Sequence, residues 1–326
     1  MREGRTIDAV RNIFKAIEIS RPLLWLNTSM PLLWGIAATR GNLDAAGAML
    51  FVLLLFPYNY YLHAPNDYFD FETDARNPRK GGVEGALTPK PLLARHAIVS
   101  CLLVAPFLAA TWALLPPLTT LSLGMLLLLS AAYNAPPTRL KGRPVLDSLT
   151  NVLYAIPLQI GLHAGGSTSL VDPSVFVFAA WGIGAHALTT ITDRDEDAAA
   201  GVHTIAVLLG RRGTALFAAA WFLLVGAGAA DITGTWAAAL LAVPYLALCW
   251  IGRDARGEAG RRLYRGFLVA NVAIGAAITL LVLVQLPTSD AIGFGAVAVA
   301  GTVVALGASV GRTLLGRSPR HGATSR

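Results

Sequence analysis

The chain of 326 residues is 55% hydrophobic and only 14% charged, with a mean hydropathy of +0.57. That composition cannot clothe a soluble protein of this size, so lipid must be the solvent for most of its surface. The net charge of +7 would suit a nucleic-acid binder, but Lys and Arg are scattered over many short segments rather than gathered on one face, which argues against that partner.

Residues 1–21 form a basic segment. Ile7, Val10, Phe14 and Ile17 fall near one helical face with Arg5, Arg11 and Lys15 elsewhere, the pattern of a helix lying on an anionic membrane surface; a frayed basic tail is the other reading. The segment lacks the shape of a signal peptide and is expected to stay attached. From residue 22 onward, apolar runs long enough to approach or cross a bilayer follow at 22–38, 45–63, 96–115, 118–133, 146–163, 174–191, 214–230, 236–251, 266–286 and 291–310. Pro116-Pro117 splits the third run from the fourth, and Pro287 with Ser289-Asp290 splits the last two. Cys101 and Cys249 lie in separate apolar runs, without ligand spacing for a metal or redox site. A basic flexible tail, 311–326, ends the chain, leaving 22–310 as a single transmembrane unit.

Charge placement tests this count, because cytoplasmic loops carry the positive excess. Nearly every Lys and Arg falls on one side of a ten-span topology, and Arg40 alone falls on the other. The expected fold is therefore all-α, a polytopic bundle of nine or ten transmembrane helices around a central cavity opening to the cytoplasm, integral to the cell membrane, with both termini cytoplasmic if ten helices span it.

Three constellations break the apolar pattern. After the second run comes Pro65-Asn66-Asp67-Tyr68-Phe69-Asp70-Phe71-Glu72-Thr73-Asp74. On a helix, at about 100° per residue, Asp67, Asp70 and Asp74 share a face with Asn66 at its margin, while Glu72 points away. Carboxylates crowded on one face repel unless a cation lies between them, and hard divalent cations prefer oxygen donors. Mg2+ meets that demand. After the sixth run, Asp193 and Asp197 stand four apart and share a helix face in Thr192-Asp193-Arg194-Asp195-Glu196-Asp197. Two such clusters on one side of a membrane would hold Mg2+ ions that keep waters and bind substrate phosphates, so the implied ligand is a diphosphate. Arg76, Arg79 and Lys80 beyond the first cluster and Arg194 within the second supply charge to complete its grip. Between the clusters, the proline-stiffened loop after the fourth run offers Tyr133, Arg139 and Lys141 on the same expected face.

With these motifs in order, the chain resembles the UbiA-type intramembrane prenyltransferases over nearly its full length. That family carries N-D-x-x-D-x-x-x-D after its second helix, here Asn66, Asp67, Asp70 and Asp74, and D-x-x-x-D after its sixth, here Asp193 and Asp197, with a Tyr-to-Lys loop between, here Tyr133 to Lys141. Within it, the stretches from Ser20 to Asn27 and from Asn77 to Gly85 look most like those of lycopene elongases, and the R-T-x-x-R-P stretch common among quinone-pathway members is absent. Ala198 and His203 depart from the pattern, standing where relatives often carry basic residues. Family members usually have nine spans. The resemblance implies transfer of an isoprenyl group from an allylic diphosphate donor, such as dimethylallyl diphosphate, to a lipophilic acceptor entering from the bilayer, with Asp70, Asp193, Tyr133 and Lys141 catalytic. Lycopene is the expected acceptor and a quinone precursor the alternative. Tyr68, Phe69, Tyr133 and Tyr154 are candidates to face a cationic intermediate, whereas His63, His163 and His186 read as packing residues. A cation transporter would place its acids at mid-membrane on symmetric broken helices, and a phosphatidyltransferase would show D-G-x-x-A-R; neither pattern occurs.

Overall fold

The computed structural model describes residues 2–74 and 88–315, and all regular structure among them is helical. In chain order the helices are α1 Arg2–Ile19, α2 Leu26–Thr39, α3 Ala45–Leu55, α4 Pro57–Phe69, α5 Phe71–Asp74, α6 Lys90–Leu114, α7 Pro117–Asn134, α8 Leu146–Leu149, α9 Ile156–Ala164, α10 Pro173–Thr190, α11 Arg194–Ala199, α12 Ile205–Thr233, α13 Val243–Gly252, α14 Glu258–Leu283 and α15 Thr288–Leu315. Every predicted apolar run has a helical counterpart. By length and apolarity, six can cross a bilayer: Ala45–Phe69, which joins α3 to α4, Lys90–Leu114, Pro117–Asn134, Ile205–Thr233, Glu258–Leu283 and Thr288–Val310. Their flanks carry large exposed hydrophobics such as Trp112, Leu128, Leu216 and Val284, as a lipid-facing surface requires.

The other runs are shorter or interrupted. Run 146–163 is not one helix but α8, a 3-10 segment Thr150–Tyr154, and α9, with buried Asp147, Ser148, Thr150 and Asn151 in its first turns. Polar side chains there bond backbone groups, as when Asn151 Nδ2 donates to the Asp147 carbonyl at 2.7 Å, so the segment lies within protein rather than in lipid. Run 236–251 is a 3-10 turn leading into α13. At the other end, α15 continues to Leu315, past the predicted limit at residue 310.

Local breaks are sealed by side chains. Pro57 lacks an N–H and interrupts the second span at Phe56; Asn59 Nδ2 lies 2.8 Å from the Leu54 carbonyl and 3.2 Å from that of Leu55, two acceptors at the break. In α12, Gly210 takes a left-handed φ of 65° that a side chain would resist, and the Thr214 hydroxyl donates to its carbonyl. Helices α2 and α9 meet backbone to backbone: a Cβ on Gly161 would stand 2.2 Å from the Leu32 carbonyl oxygen, and one on Gly35 would stand 2.4 Å from that of Leu158. Such small-residue crossings let membrane helices gain van der Waals contact that lipid cannot displace.

Two cores result. One gathers Leu32, Leu50, Leu54, Tyr58, Leu126 and Ile160 from the first half of the chain; the other gathers Leu188, Ile205, Ala218, Phe222 and Leu263 from the second. Helix α10 packs on α12 and also on the 3-10 segment Thr150–Tyr154, tying the halves together.

Candidate active site

Helix α4 delivers the first aspartate motif. Asn66 and Asp67 occupy its last turn, and at Asp70 the backbone leaves helical geometry (φ −95°, ψ 2°) before α5 resumes at Phe71. The expected continuous helix through Asp74 is thus corrected: it breaks at the residue on which two cations from the 135–145 loop converge. Arg139 Nη2 donates to Asp70 Oδ1 at 2.9 Å, and Lys141 Nζ donates to Asp70 Oδ2 at 2.5 Å and to Asn66 Oδ1 at 2.8 Å. Burial alone would raise the Asp70 pKa, but Lys141 and then Arg139 outweigh it and hold the carboxyl below its ordinary value. Glu72 is exposed and reaches Lys90 at 3.0 Å, away from this cluster, although the helix breaks before it.

Asp67 is buried, and Arg21, in the turn between α1 and α2, donates to its Oδ1 at 2.8 Å. In the sequence Arg21 stands as a topology charge and within the Ser20-to-Asn27 stretch that resembles lycopene elongases, with nothing to pair it with Asp67. Arg21 and Arg139 share a feature no spacing announced: both have left-handed backbones, with φ of 54° and 38°. Such conformations cost a non-glycine residue free energy and persist only where surroundings enforce them. Here each aims a guanidinium at the aspartate motif.

Tyr133, near the end of α7, places its hydroxyl 3.2 Å from His186 Nε2, and His186 Nδ1 lies 3.1 Å from Ser148 Oγ. His186 sits on α10 two turns before Asp193, so this relay runs from the helix carrying Tyr133 to the helix that leads into the second motif. His163, by contrast, is bound between Ser122 and the Ser169 carbonyl, a structural role as expected.

In the second motif, Asp193 precedes the first turn of α11; its carbonyl accepts from the Asp197 N–H at 2.8 Å, and its Oδ1 accepts from the Thr192 hydroxyl at 2.7 Å. Asp197 Oδ2 accepts from Thr204 at 3.2 Å. Asp195 points elsewhere, gripped by Arg211 at 2.5 Å and Arg194 at 2.8 Å, hydrogen bonds that lower its pKa. Arg194 therefore leans on Asp195 and not on the motif aspartates, so its contacts lend no support to a diphosphate role. Arg76, Arg79 and Lys80 lie outside the described residues, and Asp74 is placed by its backbone alone, at the end of α5.

The UbiA prenyltransferase family model matches residues 28–272. The chain belongs to the UbiA prenyltransferase family. Among its relatives, the lycopene elongase/hydratase of Corynebacterium glutamicum is 32% identical over 271 residues, covering 81% of this chain and 94% of that one. The lycopene elongase/hydratase of Haloferax volcanii is 33% identical over 283 residues, covering 83% and 88%. Of solved structures, a UbiA homolog from Archaeoglobus fulgidus bound to GPP and Mg2+ aligns with a TM-score of 0.60 at 18% identity, over 80% of this chain and 99% of that one. A digeranylgeranylglyceryl phosphate synthase aligns with a TM-score of 0.62 at 14% identity, over 82% and 97%.

The donor chemistry of this prenyltransferase fits a hard cation. An amide oxygen of Asn66 and a carboxylate oxygen of Asp70 already converge on one positive charge, the Lys141 ammonium. Among the described residues no three His, Cys, Asp or Glu side chains form a closed ligand group. Mg2+ does not require one, because it usually takes one or two carboxylates and completes its shell with water and phosphate oxygens.

Proposed function

We propose that this chain transfers an isoprenyl group, in a Mg2+-dependent reaction, from dimethylallyl diphosphate to lycopene or a related carotenoid held in the membrane. The observation that carries this reading is the convergence of Lys141 and Arg139 on Asp70 and Asn66, in a chain about a third identical to lycopene elongase/hydratases over most of its length. In this reading Asn66, Asp67, Asp70, Asp74, Asp193 and Asp197 hold Mg2+, which when bound supplies positive charge against the diphosphate oxygens.

Arg139 and Lys141, with Arg76, Arg79 and Lys80, meet the rest of the phosphate charge, Arg as a planar fork and Lys as a point charge. The allylic C–O bond breaks with both electrons on the diphosphate, and the terminal double bond of the acceptor forms the new C–C bond. Tyr68 and Phe69, packed edge to face at 5.1 Å, offer π-faces to the cation beside the motif. Tyr133, its hydroxyl steadied by His186, closes the site from the opposite helix. The product cation then loses a proton or adds water. The shorter helices α2, α9, α10 and α13 bring the bundle in residues 22–310 to nine or ten spans, its aspartate face cytoplasmic and its cavity open to that side, with both termini cytoplasmic if all ten span and the basic segment 1–21 on the membrane surface.

Pigment analysis tests the acceptor. A lycopene-accumulating host expressing the chain is expected to make C45 or C50 carotenoids, while hosts carrying Asp70→Asn or Asp193→Asn, expressed at the same level, keep lycopene. Unchanged lycopene with the native chain would reject the reading.

A further inference from the structure

A cavity of about 280 Å³ lies between α1, α4 and α6, among Ile13, Phe56, Val99, Leu103, Arg95 and His96. It is several times the roughly 30 Å³ share of one water, and its walls are nearly all apolar, so water is a poor occupant. Chain order puts it at the end of the bundle that carries the first aspartate motif: Tyr60, also in its wall, lies ten residues before Asp70, and Arg95 lies five residues into α6, which follows that motif. Ile13 and Val99 on its rim are exposed, so the cavity meets the lipid-facing surface.

Two polar observations single it out from ordinary lipid-facing grooves. The His96 ring is buried, its Nδ1 is engaged by the Tyr60 hydroxyl at 2.5 Å, and its Nε2 is buried with no hydrogen-bond partner. A buried ring nitrogen left unsatisfied is costly and calls for a partner the protein does not supply. Arg95 is exposed and makes no ion pair among the described residues, and Arg11 and Lys15 on α1 add positive charge, opposed on that helix, among the residues whose side chains are described, by Glu18, which Lys15 holds at 2.6 Å.

We propose that this cavity seats one anionic phospholipid, its phosphate on Arg95 with a headgroup or ester oxygen toward His96, and an acyl chain along Ile13, Val99 and Leu103. Charge complementarity selects the anionic headgroup, and the apolar walls select the chain. Because α1 ends one residue before the turn that holds Arg21 on Asp67, a lipid clamping α1 against α4 and α6 also steadies that ion pair.

The test uses the full chain in detergent, titrated separately with dioleoylphosphatidylglycerol and dioleoylphosphatidylcholine, with bound lipid counted by native mass spectrometry. One phosphatidylglycerol is expected to be retained more tightly than phosphatidylcholine. Arg95→Gln is expected to weaken it about fivefold, the effect of one cation near a lipid phosphate. Val99→Trp, which keeps every charge while filling the cavity, is expected to weaken retention of phosphatidylglycerol by at least as much. Equal retention of the two lipids by the native chain would overturn the proposal. So would phosphatidylglycerol retention unchanged by Val99→Trp, which would mean a diffuse basic surface and not a seat.

Discussion

Lys141 engages two acceptors at once, the amide of Asn66 and the carboxylate of Asp70, with little of its side chain exposed. Lys141→Met removes that charge where a diphosphate is proposed to bind. Its kcat/KM with the allylic donor should fall by about a hundredfold or more, as for loss of a preorganised charge-stabilising donor, and the melting temperature in detergent should also drop, because Asp70 loses one of the two cations that grip it and keeps Arg139; a native-like kcat/KM in the folded variant would remove Lys141 from the site. Asp67 and Arg21 pose a different case, because the carboxylate is buried. Arg21→Met is expected to cost about 3 kcal/mol of stability, the scale of breaking one side of a buried pair, and adding Asp67→Asn should return part of it in a double-mutant cycle. Additive losses would show that the pair does not couple. The pH dependence follows from Asp70. Its pKa is held below the ordinary 3.8, so the stability its ion pairs contribute is fully present above that value and is lost as pH falls through the lower folded one. The stability gap between the native chain and Asp70→Asn should therefore stay flat from about pH 5 to 8 and close only in stronger acid; a gap that closed near neutrality would contradict the assignment. The motif acids were legible in the sequence because their spacing is local and acids beside lipid demand a reason. Arg21 was not, since 46 residues separate it from Asp67 and only a left-handed turn brings it there. Nor was the Tyr133–His186–Ser148 relay, whose members come from three separate segments.

At the scale of helices, apolar runs located nearly all elements, while their interruptions depended on side chains that periodicity cannot weigh. Run 146–163 reads as one continuous helix because its hydropathy is high from Ile156 onward; the buried polar residues at its start instead bond backbone within the protein. Asp147 illustrates this, its Oδ2 accepting from the Ile205 N–H at 2.8 Å at the start of α12. The Gly35–Gly161 contact between α2 and α9 leaves no room for a side chain. Gly161→Val should therefore force these helices apart at a cost of about 3 kcal/mol or more, read as a lower melting temperature and reduced yield of folded protein. Gly124, around which a Cβ meets nothing within 4 Å, should tolerate the same change. If both variants melt alike, the close crossing is not what holds α2 to α9.

Over the whole molecule, composition and charge placement identified a membrane helical protein, and the motifs identified its family, because lipid solvation and phosphate chemistry both leave strong marks on residue choice. What the sequence could not carry is the meeting of distant loops, since the 135–145 turn must fold back beneath α4 for Arg139 and Lys141 to grip Asp70. The proposed reaction rests on that site. Its most direct test supplies the purified chain with dimethylallyl diphosphate, lycopene and Mg2+, then follows diphosphate release and carotenoid length together. The expected result is C45 and C50 carotenoids formed in step with diphosphate and abolished by EDTA. Lycopene left unchanged, or lengthening that proceeds at full rate in EDTA, would contradict it.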